Sequence, residues 1–302
     1  MSQLPKSLDD LESWLATREA GVPALRPQSA ARIHWAPGPR RRTPLAVVYL
    51  HGFSADPEET APFCDELGDA LGANVFYARL RGHGQDGAAM GRATMGEWLE
   101  DLEEAMAFGE RLGERIILVG CSTGGTLATW EAAARPNNPL LAALLLISPN
   151  FGPRDPRAGL LYWPGARHWG PWLVGKERVI EPENAGHAGH WTTRYPLDAL
   201  FPMMRLVRDT LRQDLGRINT PTWVACHPDD DVVSVSKMRR ALARFGVSPS
   251  WHLRPAAQAS KHVIGGAIFA PEATPELLSS ALAFLEGQGL GPEAGSASQP
   301  PG

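Results

Sequence analysis

Long apolar runs are missing from this chain. No stretch of about 18 apolar residues occurs, which excludes an ordinary membrane-spanning helix and stable membrane insertion. Cysteine is scarce in 302 residues: Cys64, Cys121 and Cys226 are odd in number and without metal-ligand spacing. Neither a disulfide framework nor a thiolate metal site is expected, and a reducing, cytoplasmic compartment is. Neither sign of charge dominates, because 29 Lys and Arg against 33 Asp and Glu leave a formal net charge of -4. That excludes a general polyanion binder, so nucleic acid is not an expected partner. Residues Met1–Lys6 lead into Asp9, Asp10 and Glu12 without the apolar core a signal peptide needs. His168, His187 and His190 lack metal spacing and have no nearby Cys or paired acids, so no metal is expected. No oligomeric state is read.

What is present is organised around Ile116-Ile117-Leu118-Val119-Gly120-Cys121-Ser122-Thr123-Gly124-Gly125. An apolar strand enters Gly-x-Ser-x-Gly, and the small-residue helix start Thr126-Leu127-Ala128-Thr129-Trp130 follows. Strand, sharp turn and helix are the context of a nucleophile elbow, which holds a serine in strained backbone with its hydroxyl clear of the sheet. Glycines two before and two after Ser122 leave room where strand and helix nearly touch.

Along the chain, Ser7–Glu19 reads as a short amphipathic helix capped by Ser7. Ala31–Trp35 and Leu45–Leu50 read as strands, with the Pro-Gly-Pro and Arg40-Arg41-Arg42 turn between them as a solvated hairpin tip. Glu58–Leu71 and Thr94–Leu112 read as helices, and Asn74–Ala78 as a strand. Leu140–Ile147 and Thr222–Cys226 have the apolar look of strands covered on both faces, and Ser250–Leu253 reads as a further strand. Pro202–Leu215, Val235–Phe245 and Pro271–Leu285 read as helices. Alternating strands and helices argue for an α/β class with a mostly parallel central sheet and helices on both faces.

Residues 151–200 break the pattern. They are rich in Pro, Gly, Trp and His, and a structureless loop of that length is anomalous in a compact domain. They read as an inserted cap or lid over a core of residues 1–150 and 201–286. Phe151, Leu160, Leu161, Tyr162, Trp163, Trp169 and Trp172 could line an apolar cavity beneath it or simply hold it together. The Gly, Pro and charge around the tryptophans favour a soluble monoester over an oil surface as substrate. A free-amine substrate would call for cap carboxylates, of which Glu177, Glu181 and Glu183 are the candidates. Residues 287–302, poor in large apolar groups, read as a disordered tail.

A serine hydroxyl needs a neighbouring base, and that base needs an orienting carboxylate. The chain offers Ser122, then Asp229-Asp230-Asp231, then His262, each just past an apolar run at the C-terminal side of a strand, where ligand sites in open α/β sheets lie. A developing oxyanion needs preorganised donors. The backbone N–H of Thr123 is one candidate. The N–H of Phe53 is the other, in a loop to which Gly52 allows close approach. His51 is expected to fix that loop by hydrogen bonds.

His51-Gly52-Phe53, Arg81-Gly82-His83-Gly84, Gly120-Cys121-Ser122-Thr123-Gly124-Gly125, His227-Pro228-Asp229-Asp230 and Ser260-Lys261-His262-Val263-Ile264 together resemble the α/β-hydrolase superfamily, nearest its carboxylesterase and monoacylglycerol-lipase-like branch. The resemblance spans roughly residues 45–286. It implies the α/β-hydrolase fold, cleavage of small to medium apolar acyl esters through an acyl-enzyme, and no cofactor. A monoacylglycerol lipase, thioesterase, amidase or peptidase on the same triad, or a non-catalytic binding protein of this fold, are the alternatives. Relatives commonly carry the acid three residues past a strand-end Gly; His227 stands at that place here, which points to Asp230. Arg81-Gly82-His83-Gly84 is a structural loop in such relatives, so His83 is not a catalytic candidate.

Overall fold

A computed structural model describes residues 4–163, 165–253 and 260–291. In chain order the elements are α1 (Leu11–Ala20), β1 (Arg32–His34), β2 (Thr43–Leu50), α2 (Phe63–Leu71), β3 (Asn74–Ala78), α3 (Gly87–Arg92), α4 (Met95–Leu112), β4 (Gly113–Cys121), α5 (Thr123–Ala134) and β5 (Leu141–Ile147). They continue with α6 (Ala166–Val174), β6 (Glu177–Val179), α7 (Ala185–His190), β7 (Arg194–Pro196), α8 (Leu200–Arg212), β8 (Thr222–Cys226), α9 (Val235–Leu242), β9 (Ser250–Leu253) and α10 (Thr274–Gly287). A seven-stranded sheet runs β1-β3-β2-β4-β5-β8-β9, parallel throughout except for the antiparallel edge strand β1.

Both faces of the sheet are covered, as the unbroken apolar runs require. Side chains alternate along β2: Ala46, Val48 and Leu50 enter one core with Trp98 and Leu102 of α4, Leu127 of α5 and Met238 of α9. Leu45, Val47 and Tyr49 enter the other with Phe63 and Leu67 of α2 and Leu277 and Leu285 of α10. Period-two alternation sends neighbours to opposite faces, so one strand nails both layers. The three cysteines are free and buried. Among the described residues no helix is long and apolar enough to cross a membrane.

Several local expectations change. The strands flanking Arg40–Arg42 do not form a hairpin: β1 pairs with β3, and β2 pairs with β3 on its other side. The arginines are not merely solvated, since Arg40 contacts Glu12 and Arg42 Nε donates to the carbonyls of Glu110 and Gly113 at the end of α4. Helix α1 starts at Leu11 with Asp10, not Ser7, at its N-cap. Helix α2 starts only at Phe63, because Pro62 restricts the residue before it and lacks an N–H to extend the helix backwards. By contrast α4 begins where Thr94 predicts, with Thr94 and Glu97 forming a reciprocal capping box.

An inserted segment between β5 and α8 carries α6, α7 and the antiparallel pair β6–β7, with Arg178 opposite Tyr195. Helix α10 extends to Gly287, and Leu290 beyond it is buried in the second core. Residues 292–302, most of the expected tail, lie outside the described residues.

Candidate active site

The elbow is built by close approach. Ser122 is the residue between β4 and α5 and has φ +49° and ψ -111°, a conformation that L residues rarely adopt. A side chain at Gly124 would run into the Leu50 carbonyl at the end of β2, and one at Gly120 into the Gly124 backbone. No other residue type leaves the elbow strand and its helix this close. The Ser122 N–H donates to the Ile147 carbonyl at 2.9 Å, which pins the turn to β5.

His262 meets the serine from across the sheet. Its Nε2 lies 2.9 Å from Ser122 Oγ and its Nδ1 lies 2.8 Å from Asp230 Oδ2. An ionised carboxylate only accepts, so Nδ1 carries the proton and Nε2 accepts from the serine hydroxyl. Asp230 is buried, and its other oxygen accepts from the Val232 and Val233 N–H groups at 2.9 and 2.8 Å. Of the three adjacent aspartates it is the one turned inward; Asp229 and Asp231 are exposed. Burial alone would push the His262 imidazole down. The bond to Asp230 and the negative charge of Asp230, Glu59 and Asp231 outweigh it and hold the imidazole above its ordinary value.

Thr123 opens α5, so its N–H has no carbonyl one turn back to bond. Phe53 lines the same cavity as Ser122 and His262, its ring edge-on to Tyr195 with centroids 5.3 Å apart. The loop before it is clamped twice. Glu59 Oε2 accepts from the Gly52 N–H at 2.7 Å, and His51 Nδ1 bonds the Gly52 carbonyl at 2.8 Å. His51 Nε2 accepts from the Leu80 N–H at 3.0 Å, so Nδ1 is the protonated nitrogen. Burial, then the neighbouring His83, pushes the His51 imidazole well below its ordinary value and keeps it neutral. His83 is buried, with Nδ1 on the Arg81 carbonyl at 3.2 Å, and does not line the cavity.

The cavity over Ser122 measures about 930 Å³. Leu161, Leu197, Leu200, Met203 and Val207 supply an apolar wall from the insertion and α8. Trp163 and Trp172 do not line it; they are 66 % and 90 % exposed. Phe151 is buried in the core. The side chains of Leu160 and Tyr162 lie outside the described residues. Of the cap carboxylates Glu183 lines the cavity, along with Arg157 and Arg178, while Glu177 pairs with Arg194.

Three residues have roles that the sequence reading does not assign to them. Trp191 lines the cavity and meets Phe269 edge-on at 5.1 Å, tying the cap to the loop after His262. His190 reaches Asp56 at 3.0 Å. Glu59 reads as one acid among several near a helix start; only Tyr49, a polar-tipped aromatic in an otherwise apolar strand, hints at a buried partner. Its hydroxyl donates to Glu59 at 2.8 Å.

A family model described as alpha/beta hydrolase family matches residues 47–267. A thermostable monoacylglycerol lipase of Bacillus sp. (strain H-257) is 32 % identical over 94 residues, 31 % of this chain and 37 % of that protein, so the match spans little more than a third of the relative's length. A structure titled for LipS and LipT, two metagenome-derived lipolytic enzymes, superposes with TM-score 0.70 at 19 % identity, over 87 % of this chain and 99 % of that one. The monoacylglycerol lipase of Paleococcus ferrophilus gives 0.63 at 14 % identity, over 85 % and 98 %. At these identities the superpositions speak for the fold.

Proposed function

This chain belongs to the alpha/beta hydrolase family, and from that premise we propose that it is a serine hydrolase of monoacyl carboxylic esters, of the monoacylglycerol-lipase and esterase kind. The observation that best supports the reading is the unbroken chain of hydrogen bonds from Ser122 through His262 to Asp230 at the floor of a largely apolar cavity. The sequence likeness to a bacterial monoacylglycerol lipase favours a monoacyl ester over other esters.

In this reading Ser122 Oγ attacks the ester carbonyl carbon while its proton passes to His262 Nε2. The imidazolium is stabilised by Asp230, and the oxyanion accepts from the N–H groups of Thr123 and Phe53. Collapse expels the alcohol oxygen, which takes the proton from His262. Water then attacks the acyl-enzyme, giving its proton to His262, and the carboxylic acid leaves as Ser122 is restored. The apolar wall binds the acyl or alkyl part by removing it from water, at about 0.8 kcal/mol per buried methylene.

The test is a series of chromogenic and glyceryl monoesters of rising chain length, beside aminoacyl amides, with a fluorophosphonate probe in parallel. Turnover of monoesters and probe labelling, both lost in S122A and H262A, are expected. Absence of turnover and labelling in the native protein would favour a binding role instead.

A further inference from the structure

Glu59 is an unusual group to find here. It lies in the turns before α2, its side chain is buried, and it lines the cavity that holds Ser122 and His262. A carboxyl taken out of water without partners costs several kcal/mol. Here Oε2 accepts from the Gly52 N–H at 2.7 Å and the Tyr49 hydroxyl at 2.8 Å. Tyr49 is fully buried in β2 and Gly52 is two residues beyond the strand, so the carboxyl joins the strand end to the loop that carries Phe53. The fit is close: a Cβ on Gly52 would stand 2.6 Å from Glu59 Oε1.

The two clamps on Gly52 act on successive peptide planes. Glu59 holds the His51–Gly52 plane through its N–H. His51 holds the Gly52–Phe53 plane through its carbonyl, and the N–H of that same plane belongs to Phe53. With both planes fixed, the Phe53 N–H has one direction.

We propose that Glu59 is a positioning residue for ester hydrolysis, fixing the loop that aims the Phe53 N–H and placing a second carboxylate beside His262 in addition to Asp230. This rests on the hydrolase reading above. The carboxylates whose charge acts on His262 are Asp230, Glu59 and, from its exposed position, Asp231, and the groups that act on Glu59 are Gly52, Tyr49, His262 and Cys121. Burial pushes the Glu59 carboxyl above its ordinary value against the pull of Gly52, Tyr49 and His262. A negative charge at this place favours the imidazolium that forms when Ser122 gives up its proton.

The two contributions separate by substitution. E59A removes both the loop anchor and the charge. E59Q keeps an oxygen that can accept from Gly52 and Tyr49 but removes the charge. With a soluble short-chain chromogenic ester, E59A is expected to lower kcat about 30-fold with KM within about threefold, a fraction of what losing an oxyanion donor outright costs. E59Q should lose less, about threefold in kcat. The acid limb of its kcat/KM profile should move down by about half a pH unit, because removing the carboxylate makes His262 easier to deprotonate. A role confined to packing would shift the melting temperature and leave that limb in place. Wild-type kcat in a folded E59A, or an acid limb in E59Q that coincides with wild type, would overturn the proposal. E59Q decides alone if E59A does not fold. Native protein that turns over no ester would overturn the hydrolase reading and this proposal with it, whereas native turnover with indifferent Glu59 variants overturns only the proposal.

Discussion

At the scale of single residues, Ser122 combines a reactive position with a strained backbone. A φ of +49° costs an L residue on the order of 1–3 kcal/mol, held in place by the surrounding structure. Glycine takes that conformation without a Cβ penalty. S122G is therefore expected to raise the melting temperature, by the equivalent of about 1 kcal/mol, while abolishing fluorophosphonate labelling; a lower melting temperature would show that the elbow is not strained. Asp230 carries a different burden. Asparagine in its place can still accept from Val232 or Val233, but it no longer demands a proton on His262 Nδ1. D230N should cost about 10⁴-fold in kcat with little change in KM, as loss of the correct tautomer does in serine hydrolases generally. In the native protein His262 must be neutral to act as base and its pKa is raised. kcat/KM should then fall on the acid side through a value above the ordinary histidine value of about 6.5. An acid limb below that value would mean that burial, not the carboxylates, governs the imidazole.

At the scale of elements, the parts readable from sequence are those whose pattern is decided locally. Strands β3 and β8 begin and end where their apolar runs do, because a strand covered on both faces needs an unbroken run; β9, at the sheet edge, is only half-buried. The candidate serine and acid were legible for the same reason, each following such a run at the end of β4 or β8, whereas His262 comes well past the edge strand β9. Elements whose partner lies far away were not. Three residues of β1 cannot encode whether they pair with β2 or β3. Helix α3 is not read from sequence at all, and its Gly87 and Gly91 lie where the inserted strand β7 passes against them: a Cβ on Gly87 would meet the Arg194 carbonyl. Helix α7 shows the same long-range logic in its tie to the core. His190 Nδ1 faces Asp56 at 3.0 Å, and Asp56 is also the acceptor for Ser29 Oγ. The hydrogen bond to Asp56 raises the His190 pKa despite partial burial. A group whose folded pKa is raised lends stability that is full below its unfolded value and is lost as pH rises through the folded value. H190Q should therefore lower stability near pH 5.5, where the histidine is charged beside the buried Asp56, and should match native protein near pH 8.5. Equal loss at both pH values would show that His190 acts by packing alone.

At the scale of the whole molecule, the insertion and α8 supply the apolar wall of the cavity, and the insertion's composition hides which side of each residue faces in. Tryptophans in a cap suggest an aromatic ceiling, yet Trp163 and Trp172 point to solvent while Leu161, Leu197, Leu200 and Met203 make the wall. Exposure is decided by how α6 packs against its neighbours: Ala166 and Gly170, the small residues one turn apart, are buried, which turns Trp172 outward. Composition cannot report that rotation, but substitution can. W172A touches a side chain that is 90 % exposed, so stability should stay within about 0.5 kcal/mol of native. Relative kcat/KM across the monoester chain-length series should not change. M203W adds volume to the cavity wall, which changes how much of a long ester is taken out of water. At about 0.8 kcal/mol per methylene, excluding even two methylenes separates long from short esters by roughly tenfold in kcat/KM. The expected result is a chain-length profile shifted toward short esters in M203W and unshifted in W172A. The reverse pattern, with W172A altering selectivity and M203W silent, would mean that the ester is held on the outer face of the cap and that the cavity above Ser122 is not where the substrate lies.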